Sequence, residues 1–132
     1  MKDKVYTGYT HRVGDESLKK GEEMRIYGLK TCDTCRAAVK AATQAGHAPT
    51  LIDVRATPLA ADDIARFLAA FGEALVNRRS TTWRGLDEAE RAGEPCALLA
   101  QHPTLMKRPV IEVDKTLHLG WTAEVRAALG LG

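Results

Sequence analysis

The sequence has few aromatic residues, few cysteines and no long apolar run. Aromatic side chains make up 5% of the 132 residues, and there are 3 cysteines. No segment approaches the roughly 20 apolar residues of a membrane-spanning helix, and no apolar signal-peptide core follows Met1. Three cysteines are too few for the disulfide framework of a secreted domain, so we expect a cytoplasmic protein in a reducing environment.

The excess of positive over negative charge is also small. The formal net charge is +2, which is too small to indicate nucleic-acid binding. The chain is long enough for one domain with a hydrophobic core and too short for two comfortable ones. Residues 1–23 are polar and lack a sustained apolar period, so we expect a disordered leader or tag there, with a short strand at residues 5–7 as the alternative. Residues 24–132 then form a single domain.

A pair of cysteines, Cys32 and Cys35, stands between a predicted strand at residues 24–27 and a predicted helix that includes residues 37–42. The first N–H groups of a helix are unpaired and carry partial positive charge, so a thiolate at Cys32 is stabilised there. Cys35 follows about one helical turn later and can attack an adduct formed at Cys32. Lys30 adds positive charge close by.

Two other interpretations of the cysteine pair remain open. A Cys-x-x-Cys pair can bind zinc, but a structural zinc site usually has four ligands, and the remaining Cys96 and four histidines do not stand at ligand spacing. We therefore expect no metal. Two inert cysteines, buried as small apolar side chains, are the other alternative. The position between a strand and a helix favours a redox-active or nucleophilic site.

Apolar periodicity and turn residues divide the rest of the chain into short elements. Predicted helices span about residues 33–45, 62–72, 86–92, 95–101 and 122–129, and predicted strands span residues 49–54, 110–113 and 116–119. Asp114 and Lys115 fit a two-residue hairpin between the last two strands. Cys96 and Leu99 are expected to face the core from their helix. A helix between the first two strands implies a right-handed parallel unit.

Residues 77–84 form a predicted polar loop with three arginines and one tryptophan. Arg78 and Arg79 are adjacent in this loop. The loop is either a solvated surface segment or a contact site for an anion or a thiol partner, because guanidinium groups match the geometry of oxyanions. The residues alone leave both interpretations open.

Three segments together resemble one protein family. They are Tyr27-Gly-Leu-Lys-Thr-Cys-Asp-Thr-Cys-Arg, Asn77-Arg-Arg-Ser-Thr-Thr-Trp-Arg and His102-Pro-Thr-Leu-Met-Lys-Arg-Pro-Val-Ile. With the predicted order of elements, they make residues 24–129 similar to the arsenate reductase-related family, which includes glutaredoxin-dependent arsenate reductases, Spx regulators and YffB-like proteins. The resemblance implies an α/β, thioredoxin-like fold whose mixed four-stranded sheet has a helical insertion between the second and third strands.

The resemblance also implies roles for individual residues. Cys32 falls on the family's nucleophilic cysteine, and Arg108 falls on the arginine that holds the arsenic oxyanion. Pro109 falls on the proline that is cis in this fold and lies beside the nucleophile. Arg78 and Arg79 fall near a further arginine that contacts the anion.

One departure bears on the substrate. Residues 118–122 lack a further arginine that established arsenate reductases carry, and they resemble the YffB-like branch instead. The expected function is a thiol-dependent reductase that uses glutathione or glutaredoxin and acts on a mixed disulfide or on arsenate. The alternative is an Spx-like redox switch that binds RNA polymerase without catalysis. The expected catalytic residues are Cys32, Cys35 and Arg108, and the expected substrate-binding residues are Lys30, Arg78, Arg79 and Pro109.

Overall fold

The protein is described here by a computed structural model, which covers residues 23–114 and 116–131. The strands are β1 (Glu23–Gly28), β2 (Ala48–Asp53), β3 (Val110–Val113) and β4 (Thr116–Leu119). The α-helices are α1 (Asp33–Gln44), α2 (Ala61–Phe71), α3 (Thr81–Arg84), α4 (Glu88–Arg91), α5 (Pro95–Gln101) and α6 (Ala123–Ala128). Two 3₁₀ turns lie at Gly72–Leu75 and Pro103–Leu105.

The four strands form one mixed sheet in the order β2-β1-β3-β4. β1 and β2 are parallel, with Ile26 opposite Leu51, as a helical connection requires. β3 runs antiparallel to β1 and pairs with β4 across a two-residue turn, in which Asp114 has a φ of 58°. α2 to α5 separate β2 from β3. The predicted α/β, thioredoxin-like class with its helical insertion is confirmed.

The side chains of the central strand β1 alternate between two hydrophobic cores, because successive residues of a strand point to opposite faces. Met24 and Ile26 pack on one face with apolar residues of α1 and α6. Tyr27 packs on the other face with the insertion, and its ring meets that of Phe67 edge-on at 5.0 Å between centroids. The sheet is therefore covered on both sides, and the end of β1 is held firmly.

Glu112 on β3 fixes the insertion to the sheet. Arg66 on α2 donates to both of its carboxylate oxygens, at 2.9 and 3.3 Å. The Tyr27 hydroxyl donates to the same carboxylate at 3.3 Å. Only 13% of the Glu112 side chain is exposed, so the carboxylate needs these partners to be tolerated there.

The structure corrects two predictions in the insertion. Half of the predicted polar loop 77–84 is helical, because the Ser80 hydroxyl accepts from the Trp83 N–H at 3.0 Å and caps α3. Cys96 is exposed, so the prediction that it faces the core is wrong. The buried side of α5 is centred between Leu98 and Leu99, roughly 110° around the helix from Cys96.

Smaller differences concern element ends. β1 begins at Glu23, which belongs to the predicted leader, and β2 spans Ala48–Asp53, one residue earlier than predicted. The rest of the predicted leader, including the possible strand at residues 5–7, lies outside the described residues, as does Lys115. Within the described ranges, no helix has both the length and the apolar character needed to cross a membrane.

Candidate active site

Cys32 lies at the N-cap of α1, directly after a tight turn that leaves β1. Its backbone N–H donates to the Leu29 carbonyl at 3.1 Å, and its own carbonyl accepts from the Arg36 N–H at 3.0 Å. The residue is extended, with φ −84° and ψ 119°, as an N-cap residue must be. Its side chain is half-buried. The thiol is therefore held at the start of a 12-residue helix while it stays accessible to a reactant.

Asp53 holds this turn from the end of β2. Its Oδ2 accepts from the backbone N–H of Lys30 at 3.0 Å, and its Oδ1 accepts from the N–H groups of Arg55 and Ala56 at 2.8 and 3.1 Å. These backbone donors, that of Lys30 foremost, lower the pKa of the Asp53 carboxyl. The carboxylate thus joins the turn before Cys32 to the turn after β2.

The surroundings of Cys32 favour its thiolate. Burial by itself raises the pKa of the Cys32 thiol, but hydrogen bonds from the Cys35 backbone, the Cys35 thiol and the Arg108 guanidinium outweigh burial. The backbone N–H of Thr34 acts in the same direction, and the pKa of Cys32 lies below the ordinary value of a thiol. A larger fraction of Cys32 is therefore nucleophilic near neutral pH than for an ordinary cysteine.

Cys35 has the opposite character. It is fully buried on the inner face of α1. Burial raises the pKa of the Cys35 thiol to about 11, and the neighbouring Cys32 adds to the rise. Cys35 therefore stays protonated near neutral pH, and its S–H group can donate to the Cys32 sulfur.

Gly28, the last residue of β1, gives Cys35 the space that it occupies. A Cβ atom placed on Gly28 would collide with the Cys35 sulfur and would lie 3.3 Å from its Cβ. The helix start can therefore approach the strand end only because residue 28 has no side chain. This close approach brings both cysteines to the end of the central strand.

Arg108 reaches Cys32 from the segment that precedes β3. Its Nη1 donates to the Thr104 carbonyl at 3.0 Å, and its side chain is half-buried. Its Nε is buried and has no hydrogen-bond partner among the described residues. The Arg108–Pro109 peptide bond is cis, as the family resemblance implies, and Pro109 is buried beside it. An anionic group bound next to Cys32 would give the Nε donor an acceptor.

The predicted substrate-binding residues lie in different places. Lys30 is exposed two residues before Cys32. Arg78 donates to Glu73 at 3.1 Å and lies over the Trp83 ring at 5.4 Å. Together with Arg79 and Lys107, it lines a cavity of about 430 Å³. Among the described residues, the hydrogen bonds and ring contacts of Arg78 do not include Cys32.

Sequence reasoning missed three residues that support this site, namely Asp53, Thr104 and Gly28. The partner of Asp53 is 23 residues away, and an aspartate after a strand is too common to indicate a role. Thr104 acts through its backbone carbonyl, which any residue supplies. Gly28 shortly precedes the cysteine motif, and a glycine at a strand end often marks a close approach of another segment. The sequence alone could therefore have indicated this residue.

The described part of the chain contains no cluster of side chains that could bind zinc. No three histidine, cysteine, aspartate or glutamate side chains of those residues gather as metal ligands would. Cys96, the third cysteine, is on α5 and exposed.

Several known proteins are similar to this chain over most of its length. An uncharacterized protein of Haemophilus influenzae is 37% identical over 101 residues, which cover 73% of this chain and 89% of that protein. The solved structure of a YffB protein is 30% identical with a TM-score of 0.74, and the match covers 80% of this chain and 97% of that one. An arsenate reductase-related protein from Brucella melitensis is 34% identical with a TM-score of 0.63, over 88% and 97% of the two chains.

The ArsC family model matches residues 27–129, which span both cysteines of the motif, Arg108 and Pro109. The expected relationship to the arsenate reductase-related proteins, with a YffB protein among the structural neighbours, is confirmed. The chain belongs to the ArsC family.

Proposed function

We propose that this protein is a thiol-dependent reductase whose nucleophile is the Cys32 thiolate. The observation that carries the proposal is the pairing of a half-exposed, low-pKa thiol with a guanidinium whose buried Nε has no partner among the described residues. A thiolate attacks an electrophile, and a fixed donor beside it stabilises negative charge on the reacting group. Membership of the ArsC family agrees with this chemistry.

The favoured substrate is a mixed disulfide with glutathione. The Cys32 thiolate attacks the glutathione sulfur, forms a Cys32–glutathione disulfide, and releases the substrate thiolate, which takes up a proton. A second glutathione thiolate then attacks the glutathione sulfur of that disulfide. It releases oxidised glutathione and restores the Cys32 thiolate. In the net reaction one free glutathione is consumed: the substrate leaves as a thiol, and that glutathione leaves with the glutathionyl group of the substrate as oxidised glutathione. No metal takes part.

Glutathione is a better resolving thiol than Cys35. The pKa of Cys35 is about 11, so only about one Cys35 in ten thousand is a thiolate at pH 7. Its sulfur is also enclosed between α1 and β1 against Gly28. A thiol in solution can approach the exposed side of Cys32 instead. We therefore assign Cys35 to stabilising the Cys32 thiolate and glutathione or glutaredoxin to resolving the adduct.

The basic cavity around Arg78 and Arg79 suits the carboxylates of glutathione. Arg79 and Lys107 are exposed there, and Arg78 is already paired with Glu73. Backbone bonds hold this cavity beside the Arg108 segment, because the Asn77 N–H donates to Leu105 at 2.8 Å. Glutathione has two carboxylates, so it can pair with more of these cations than arsenate can. Arsenate is therefore the poorer substrate in this proposal.

The test is steady-state turnover of two substrates by the purified protein in a Cys96→Ser background. The substrates are the mixed disulfide of glutathione with mercaptoethanol, and arsenate with glutathione and glutaredoxin. We expect disulfide reduction that is lost in Cys32→Ser. Arsenate turnover with negligible disulfide reduction contradicts the preference. No turnover of either, together with retention of RNA polymerase by the immobilised oxidised protein, contradicts catalysis and supports the redox-switch alternative.

A further inference from the structure

Two threonines from separate elements share a short hydrogen bond next to Arg108. The Oγ1 atoms of Thr82 on α3 and Thr104 in the 3₁₀ turn are 2.6 Å apart, and either hydroxyl can be the donor. Both side chains are half-buried, so water competes less for this bond than at the surface. The pair joins α3 to the turn that precedes Arg108.

The same turn holds the Arg108 guanidinium. The Thr104 carbonyl accepts from Nη1 of Arg108 at 3.0 Å. In the described part of the chain the Arg108 Nε has no acceptor, so the bond from Nη1 to the Thr104 carbonyl helps to set the direction of the guanidinium. The guanidinium also donates to the Cys32 sulfur and stabilises its thiolate. A shift of the Thr104 peptide would therefore change how Arg108 faces the reacting sulfur.

Backbone bonds limit how far this turn can move. The Leu105 carbonyl accepts from the Asn77 N–H at 2.8 Å, and the Lys107 N–H donates to the Leu75 carbonyl at 2.7 Å. Leu105 is also fully buried. Thr104 is the residue before this anchored segment, and its side-chain bond to Thr82 is the link from the turn to α3. Losing that link should change the position of Arg108 slightly rather than release it.

We propose that Thr82 is a positioning residue, which acts through Thr104 to aim Arg108 at the Cys32 thiolate. The inference rests on the proposed function, because it assigns Arg108 a part in the chemistry of Cys32. The Thr82 hydroxyl itself contacts Thr104 and not the reacting atoms. Its removal should therefore weaken catalysis only to the extent that it disturbs Arg108.

The experiment is a double-mutant cycle on Thr82 and Arg108 in the full chain with Cys96→Ser. The readouts are the pH midpoint of Cys32 alkylation and kcat/KM for the glutathione mixed disulfide. We expect Thr82→Val to raise the midpoint and to lower kcat/KM about fivefold, the scale of one lost neutral hydrogen bond. Thr82→Ser keeps a hydroxyl and should restore both values. Thr81→Val is the control, since it makes the same change at the exposed neighbouring residue.

The double-mutant cycle distinguishes a failure of the positioning role of Thr82 from a failure of the proposed function. If Thr82 acts through Arg108, Thr82→Val has no further effect in an Arg108→Ala protein. If Thr82→Val equals Thr81→Val, or if its effect is undiminished in Arg108→Ala, the positioning role is overturned while the proposed function stands. An Arg108→Ala protein with wild-type alkylation and turnover removes Arg108 from the chemistry and so overturns the positioning role. The proposed function fails instead if the wild-type protein shows no turnover that depends on Cys32. Thr104→Val, which keeps the carbonyl, is the second variant if Thr82→Val does not fold, and it should reproduce the same fivefold loss.

Discussion

The Cys35 sulfur lies against the backbone of Gly28, in the space that a Cβ on residue 28 would fill. The contact joins the end of the central strand to the first turn of α1. Cys35 is fully buried, and protein interiors are close-packed, so its sulfur can move aside only by displacing neighbouring atoms. The position of the helix start, and so of Cys32 at its N-cap, depends on a glycine four residues upstream.

This contact predicts that Gly28→Ala destabilises the protein and that Cys35→Ala reverses much of the loss. The added methyl group has to displace a buried sulfur, and overpacking of this kind costs about 1–3 kcal/mol. Removing the sulfur gives the methyl group the space it needs. The measurement is the free energy of unfolding in urea for the two single variants and the double variant. Equal losses from Gly28→Ala with and without Cys35 would show that the two side chains do not compete for space.

A second prediction concerns the pH at which Cys32 becomes reactive. The thiolate of Cys32 accepts from the Cys35 thiol, which is one reason that the pKa of Cys32 is low. We expect Cys35→Ala to move the alkylation midpoint of Cys32 to higher pH, with Cys35→Ser closer to wild type because its hydroxyl still donates. In wild type we expect Cys32 to react at a pH below the ordinary thiol range, and Cys35 to stay unmodified until the pH approaches 11 or the protein unfolds.

Mass spectrometry of each cysteine after brief alkylation at a series of pH values measures this directly. Cys96→Ser removes the exposed third thiol from the assay. An unchanged midpoint in Cys35→Ala would assign the low pKa to the helix N-terminus and Arg108 alone. Rapid alkylation of Cys35 at pH 7 in the folded protein would contradict its burial. Its assigned role, which is to stabilise the Cys32 thiolate and not to resolve the adduct, depends on that burial.

The fold was largely predictable because each element has a local signature. Ile26 and Val110 lie in short apolar strands, and Thr122 and Gly130 mark the two ends of the last helix. The strand-to-helix position of Cys32 follows from the same signals. Local patterns were sufficient here because they report which residues are buried in each element.

The supporting residues of the site were not predictable in the same way. The bonds of Asp53 to Lys30 and of Thr82 to Thr104 join parts of the chain 23 and 22 residues apart, and no period in the sequence records such pairs. Cys96 was placed wrongly because residues 96–100 of this seven-residue helix are all apolar, so the pattern does not fix which side is buried. These two bonds and the exposure of Cys96 depend on tertiary packing, which local sequence patterns do not report.

A third prediction follows from the bond between Asp53 and the Lys30 N–H at 3.0 Å. The folded pKa of Asp53 is lowered, so its carboxylate stabilises the fold at pH values above the unfolded pKa of roughly 3.9. That contribution is lost as the pH falls through the lower, folded pKa. Asp53→Asn should therefore be less stable than wild type at pH 7, and the gap should close in acid.

Urea unfolding at several pH values and amide hydrogen exchange of Lys30 test this prediction. We expect faster exchange at Lys30 in Asp53→Asn, since one of the carboxylate's acceptor oxygens becomes an amide NH₂ group. Asp62→Asn makes the same substitution at an exposed position of α2 and is the control. A stability gap that is constant from pH 7 to pH 2 would mean that the charge of Asp53 is not what holds the turn.

The last prediction separates the two classes of arginine at this site by kinetics. Arg108 is beside the reacting sulfur, so Arg108→Ala should lower kcat for the glutathione mixed disulfide by roughly a hundredfold, the usual scale for losing one charge-stabilising donor. Arg79 is exposed on the wall of the basic cavity, where we propose that it pairs with a carboxylate of the glutathionyl group. Arg79→Ala should therefore raise KM about threefold and leave kcat unchanged, because it removes binding that the ground state and the transition state share. Lys40→Ala, at an exposed position of α1, should change neither constant. A fall in kcat for Arg79→Ala would place that side chain at the reacting atoms, and a pure KM effect for Arg108→Ala would remove it from them.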